Sequence, residues 1–222
     1  MNVLLFGATG MVGQGVLREC LLDPEVQRVV TIGRTSTGVN QPKLQEIVHR
    51  DLFDYSSIEP ELAGFDACFF CLGVSAVGKK EADYRRTTYD LTLGVAKMLE
   101  QVGSLRTFVY VSGAGTNANG RQMWARVKGS TENALLAMPF AQVFCFRPGY
   151  IQPLHGVRSK IGWYNGFYAA LSWAYPLLRR VAGKFVTSSE EMGRAMISVA
   201  RNGYPKKVLE TMDIHAAAGT RL

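Results

Sequence analysis

Three glycines in Gly7-Ala8-Thr9-Gly10-Met11-Val12-Gly13 follow directly on the apolar run Val3, Leu4, Leu5, Phe6, and the chain continues with Val16, Leu17 and Leu21 at helical spacing. A buried strand, a tight turn and a helix in that order make a cradle for phosphate. Gly7 turns the chain, Gly10 lets the backbone approach a pyrophosphate, and Gly13 lets the helix lie close against the strand. The free amides at the start of the helix then face the anion. The expected cofactor contacts are therefore the whole stretch Gly7, Ala8, Thr9, Gly10, Met11, Val12 and Gly13. Residues 27–32 read as a second strand ending in Gly33-Arg34, where the adenosine ribose of a bound dinucleotide would lie. An acidic residue there would bind the 2′-hydroxyl of NAD, whereas an arginine accommodates the 2′-phosphate of NADP, so Arg34 points to NADP over NAD.

These groups need a scaffold that brings them to one edge, and the rest of the chain reads as one. Asp23-Pro24-Glu25 ends the first helix, and residues 44–49, 66–71, 105–111 and 141–146 read as further strands. Residues 81–102 carry a long helical pattern through Tyr84, Thr88, Leu91, Val95, Met98 and Leu99. The small residues after the fourth strand, Leu72-Gly73, allow backbone to approach the cofactor where the strand order should reverse. The expected fold is a single α/β domain over residues 1–222, a doubly wound parallel sheet in the order 3-2-1-4-5-6, with residues 207–210 able to add a seventh strand. Residues 152–222 are expected to contribute a small helical lid on the substrate side.

With 47% hydrophobic and 19% charged residues, the chain of 222 has ample material for a core and is far from the disordered regime. Its 25 basic and 18 acidic side chains give +7, scattered along the chain, and a cofactor with several phosphates is the plainest use for them. No nucleic-acid-binding motif accompanies the charge, so nucleic acid is not an expected partner. Cys68 and Cys71 have CxxC spacing, but within a strand positions three apart point to opposite faces, and no metal site is expected. The first strand begins at the second residue, leaving no room for a signal peptide, and a cytoplasmic location is expected.

The glycine spacing resembles that of the extended and atypical short-chain dehydrogenase/reductases, the superfamily that includes the NAD(P)-dependent epimerases and dehydratases and has the Rossmann fold. The resemblance becomes specific at Ser112-Gly113-Ala114-Gly115-Thr116 and at Lys128, sixteen residues after Ser112. The superfamily places a serine at the end of the fifth strand and Tyr-x-x-x-Lys in the next helix. Ser112 and Lys128 match, but the tyrosine position holds Trp124. The resemblance implies that Ser112 hydrogen-bonds the substrate oxygen and that Lys128 holds the ribose hydroxyls of the cofactor. It further implies adenine contacts from Asp51 and Leu52, and nicotinamide contacts from Pro148, Gly149, Tyr150 and Ile151. Asp51 could equally open the turn that follows it.

The family's tyrosine exchanges a proton with the substrate, and an indole N–H cannot deliver one at neutral pH. Three explanations stay open. Another acid serves, with Tyr150, His155, Tyr84 and Tyr89 as candidates; or Trp124 lines an apolar pocket while Ser112 and Lys128 hold cofactor and ligand; or the protein binds NADP without chemistry. The leading expectation is an oxidoreductase or isomerase acting on a small apolar carbonyl or alcohol, the other a non-catalytic NADP-binding regulator or scaffold. The uncharged stretch 161–178, rich in aromatics, suggests a pocket lid, a homodimer surface or a membrane-surface contact, in that order. Thr187 or Ser188 with Glu190 or Glu191 forms a capping box for a helix running to Asn202, and the residues from His215 onward read as a surface tail.

Overall fold

The computed structural model describes residues 1–156 and 183–220. Its strands are β1 (Asn2–Phe6), β2 (Arg28–Gly33), β3 (Leu44–Val48), β4 (Ala67–Phe70), β5 (Thr107–Val111), β6 (Gln142–Arg147), β7 (Tyr150–Gln152), β8 (Val186–Ser188) and β9 (Val208–Glu210). Seven of them form one sheet in the order β3-β2-β1-β4-β5-β6-β9, every neighbouring pair parallel. The expected doubly wound order is present, and the 207–210 strand takes its place beside β6.

The helices are α1 (Met11–Leu22), α2 (Glu81–Arg85), α3 (Leu91–Val102), α4 (Met123–Leu136), α5 (Ser189–Asn202) and α6 (Thr211–Ala217). β1 is buried on both faces, as a central parallel strand must be, and the strand alternation divides its side chains between two cores. Val3 and Leu5 pack with Val16, Leu17 and Cys20 of α1 and with Met192 and Met196 of α5. Leu4 and Phe6 face the other way, toward Phe70, Phe108 and the α3 residues Val95, Ala96 and Leu99. Cys68 belongs to this second core and Cys71 packs against the first, so the two thiols of the CxxC lie on opposite faces of the sheet. All four cysteines are free.

Three features depart from the sequence reading. Residues 81–102 are helical throughout but contain a π turn over Arg86–Asp90. There the Thr87 hydroxyl donates to the carbonyls of Asp83 and Tyr84, and the Thr92 hydroxyl to that of Thr88, the kind of back-bonding that loosens a regular α turn. Next, β7 and β8 form a separate two-stranded parallel ladder in which Ile151 pairs with Thr187. Finally, the expected surface tail is helix α6, with His215 only 2% exposed. Glu210 and Asp213 cap α6 reciprocally, and His215 Nε2 lies 3.0 Å from the Val186 carbonyl and 3.2 Å from that of Gly183, tying α6 to β8.

The capping box is present as Ser188 and Glu191: the Glu191 amide donates to the Ser188 hydroxyl, and the Ser188 amide donates to the Glu191 carboxylate. The stretch 161–178 lies outside the described residues. Among the described residues no helix is long and apolar enough to cross a membrane.

Candidate functional site

Parallel strands deliver their carboxyl ends to one edge, and here the order reverses between β1 and β4, which opens a crevice at that edge. Gly7 leaves β1 with φ +82°, and a Cβ placed on it would stand 2.7 Å from the Cys71 carbonyl carbon and 2.7 Å from the Leu72 amide nitrogen at the end of β4. A side chain there would close the crevice at its narrowest point. Gly13 serves the other contact: a Cβ on it would come within 2.1 Å of the Gly7 carbonyl oxygen, so the first turn of α1 lies directly against the glycine turn. Gly10 is the N-cap of α1 and no side chain caps this end. The first amides of the helix and its dipole are therefore directed at whatever anion enters the turn.

Two adjoining cavities of about 300 and 520 Å³ occupy the crevice and share Gly7, Thr9, Arg34, Leu52 and Leu72 in their walls. The first adds Ala8, and the second adds Gly10, Asp51 and Gly73. Met11 and Val12 belong to α1 and pack partly against the core. Two cations that sequence reasoning left unassigned, Arg50 and Lys79, line the larger cavity together with Arg34. Arg50 directly precedes Asp51 at the carboxyl end of β3, and that placement was the available signal.

Both carboxylates of the two cavities are engaged. Asp51 Oδ1 accepts from the Phe53 amide at 2.9 Å, so it does open the turn that follows it. Glu46 of β3 accepts from the amide and hydroxyl of Thr37. Burial works to raise Glu46, but the Thr37 bonds outweigh it and its carboxyl is lowered. These acids are held by the protein's own donors, and the three cations stand beside them.

At the carboxyl end of β5, Ser112 is 5% exposed, with its amide donating to the Phe146 carbonyl at 2.8 Å. Its Oγ lies 3.0 Å from Thr116 Oγ1, which donates to the Gly113 carbonyl at 2.8 Å. Lys128, on α4, donates from Nζ to the Ser112 carbonyl at 2.8 Å and to the Val111 carbonyl at 3.4 Å, and Nζ stands 5.8 Å from the centre of the Tyr110 ring. Burial lowers Lys128 to about 8, against the opposing pull of the Glu132 carboxylate one turn along. Glu132 is itself buried and clamped by the Arg147 guanidinium, which also reaches Glu210. The Trp124 ring edge lies by Gly115, 3.7 Å from where a Cβ on that glycine would stand.

The four alternative acids are placed as follows. Tyr84 is 2% exposed and burial pushes its phenol up. The Arg85 guanidinium covers the Tyr89 ring at 4.1 Å. Tyr150 donates its hydroxyl to Gln152 at 2.8 Å, and His155 Nε2 lies 2.8 Å from a Glu190 carboxylate oxygen. In the loop after β6, the Pro148 carbonyl accepts from the Ala114 amide and the Gly149 amide donates to Thr211, while Tyr150 and Ile151 enter the β7–β8 ladder. These bonds fasten the loop to the Ser112 segment and to α6.

Similarity to known proteins follows the same lines. A mitochondrial protein of Scheffersomyces stipitis named FMP52-2 is 27% identical over 218 residues, 94% of this chain and 91% of that protein. The mitochondrial protein fmp52 of Emericella nidulans is 32% identical over 157 residues, 68% of this chain and 66% of that protein. Relatives named as mitochondrial overturn the expectation of a cytoplasmic location. In fold, the chain is similar to the UDP-N-acetylglucosamine 4-epimerase of Methanobrevibacter ruminantium, with a TM-score of 0.67 at 17% identity over 94% of this chain and 75% of that one. The glycine turn, the crevice and the Ser112 to Lys128 segment all fall within residues 3–136, which match the model of the NAD dependent epimerase/dehydratase family. The chain belongs to that family.

Proposed function

We propose that the chain is an NADP-dependent oxidoreductase acting on a small, apolar carbonyl or alcohol. The observation that carries the cofactor choice is the convergence of Arg34, Arg50 and Lys79 on one cavity whose single carboxylate, Asp51, already accepts from the Phe53 amide. A phosphate on the 2′-oxygen of the ribose brings two negative charges to that wall, and guanidinium groups bind phosphate in two-pronged fashion. NAD carries no such group. When bound, the cofactor supplies a hydride from its reduced nicotinamide. The glycine turn holds the pyrophosphate, Asp51 and Leu52 flank the adenine, and Lys128 and the segment Pro148 to Ile151 border the nicotinamide end, where Ser112 meets the substrate oxygen.

Calorimetric titration with NADPH and, separately, NADH tests this reading. Tight NADPH binding with much weaker NADH binding is expected; equal affinity removes the role given to Arg34, and binding of neither removes the dinucleotide reading. Trp124 at the tyrosine position favours a second reading, a non-catalytic NADP-binding regulator or scaffold. Under that reading a Trp124→Tyr variant gains a carbonyl reductase activity that the parent lacks.

A further inference from the structure

We propose that Lys128 is the general acid of this site, its ammonium giving a proton to the substrate oxygen in place of the tyrosine whose position Trp124 holds. The inference rests on the oxidoreductase reading above and names the proton source that reading lacks.

Trp124 and Lys128 are four residues apart on α4 and so share one face of the helix. The indole stands by Gly115, in the loop that Ser112 opens, and Nζ reaches the root of that same loop at the carbonyls of Ser112 and Val111. An ammonium carries three hydrogens, and these two carbonyls take two of them. They fix Nζ at the end of β5 and leave the third hydrogen for a ligand oxygen at Ser112.

Of the competing donors all but Tyr89 are engaged, and the Tyr89 ring is covered by the Arg85 guanidinium. The Thr116 hydroxyl donates to the Gly113 carbonyl, so in the Ser112–Thr116 pair it is Ser112 that gives its hydrogen. Ser112 Oγ then faces a ligand with lone pairs alone, and a carbonyl substrate must find its hydrogen elsewhere. Tyr84 and Tyr110 are buried phenols pushed upward, Tyr150 donates to Gln152, and His155 is paired with Glu190. The ionisable groups that bear on Nζ are Glu132, one turn along α4 and bound by Arg147, and the buried Tyr110 on β5. Burial brings Lys128 to about 8, so at neutral pH the amine is charged yet able to release a proton.

In the reductive direction the carbonyl carbon gains a hydride from reduced nicotinamide while the oxygen takes a proton from Nζ. The C=O π bond is replaced by a C–H and an O–H bond. The cofactor leaves oxidised, and the neutral amine recovers its proton from water. In the reverse direction the same amine, when neutral, accepts the proton of an alcohol.

Methylation of the lysines with ¹³C-formaldehyde and a borohydride, followed by carbon NMR across pH, reads the amine directly; the resonance missing from Lys128→Arg, or from Lys128→Met should the arginine variant fail to fold, identifies it. A resonance titrating near 8 is expected, apart from surface lysines at about 10. In parallel, NADPH-dependent reduction of cyclohexanone and benzaldehyde should have a kcat that falls as pH rises through that value. Lys128→Arg should lose roughly 100-fold in kcat, and what activity remains should no longer fall as pH rises through that value. A Lys128 that titrates with the other lysines, or a Lys128→Arg protein that reduces at the parental rate, overturns the assignment and leaves the oxidoreductase reading standing. Failure of the parent to bind NADPH brings down that reading and the acid together. Binding of NADPH with Lys128 titrating near 8 but reduction of neither carbonyl overturns the acid in favour of the non-catalytic reading.

Discussion

Ser112 Oγ lies 3.0 Å from Thr116 Oγ1, and because Thr116 gives its own hydrogen to the Gly113 carbonyl, Ser112 is the donor of the pair. Thr116→Val preserves shape but removes the acceptor. The variant should lose about 1 kcal/mol of stability in urea unfolding and leave the Ser112 hydrogen free to turn toward a ligand. An unchanged unfolding midpoint would show that the pair contributes nothing to the fold.

Gly7 is the residue at which the crevice tolerates no side chain. Gly7→Ala forces a Cβ into a φ of +82° and against the Cys71 and Leu72 backbone. A cost of about 2 kcal/mol and a fall in NADPH affinity of at least about tenfold are expected from thermal unfolding and calorimetry. A variant with parental affinity would mean that the cofactor does not sit in this turn.

Removing charge at the adenosine end separates the two nicotinamide cofactors. Arg34→Ala combined with Arg50→Ala should weaken NADPH by roughly 10- to 100-fold and change NADH binding little. The NADPH affinity of the parent should also fall more steeply with added salt than that of the double variant. Parallel losses for both cofactors would place the arginines on the pyrophosphate.

Lys128 links stability to pH. Its folded value, about 8, lies below the ordinary lysine value, so between pH 8 and about 10.4 the unfolded chain binds more protons than the folded one and stability from this group rises with pH. Below pH 8 the enclosed ammonium is a standing cost, on the order of 3 kcal/mol. Lys128→Met should therefore be more stable than the parent at pH 7, with the advantage shrinking as pH climbs toward 10. A difference independent of pH would show that the ammonium is not enclosed.

Glu132, one turn from Lys128 on α4, is buried and held by Arg147. Glu132→Gln breaks the ion pair while keeping the volume, at a cost of about 3 kcal/mol. With the carboxylate gone, Lys128 should titrate lower still, because Glu132 is the group that opposes its downward shift. An NMR titration unmoved by the substitution would rule out the coupling.

What could be read from the sequence follows from how local each signal is. The β1 run, the glycine turn and the α1 pattern are contiguous, and the parallel order follows from alternating strands and helices. The β7–β8 ladder could not be read, since three-residue strands carry no periodicity and Tyr150 and Val186 are far apart in the chain. Burial of His215 depends on the Val186 and Gly183 carbonyls, whose position only the tertiary structure fixes. The π turn at Arg86–Asp90 was hidden because the flanking apolar spacing is already helical. Arg50 carried no signal of its own in the sequence, and only the shared cavity wall with Arg34 reveals it. At the candidate site, the positions of Ser112 and Lys128 were legible, whereas the hydrogen-bond polarity between Ser112 and Thr116 was not.

The β7–β8 ladder also sets how far a change near the loop after β6 can travel. Gln152 and Ser188 are far apart in the chain but are register partners, and Ser188 is the N-cap of α5. The loop after β6 and the first turn of α5 are therefore held as one piece, so a substitution in either short strand is felt at both.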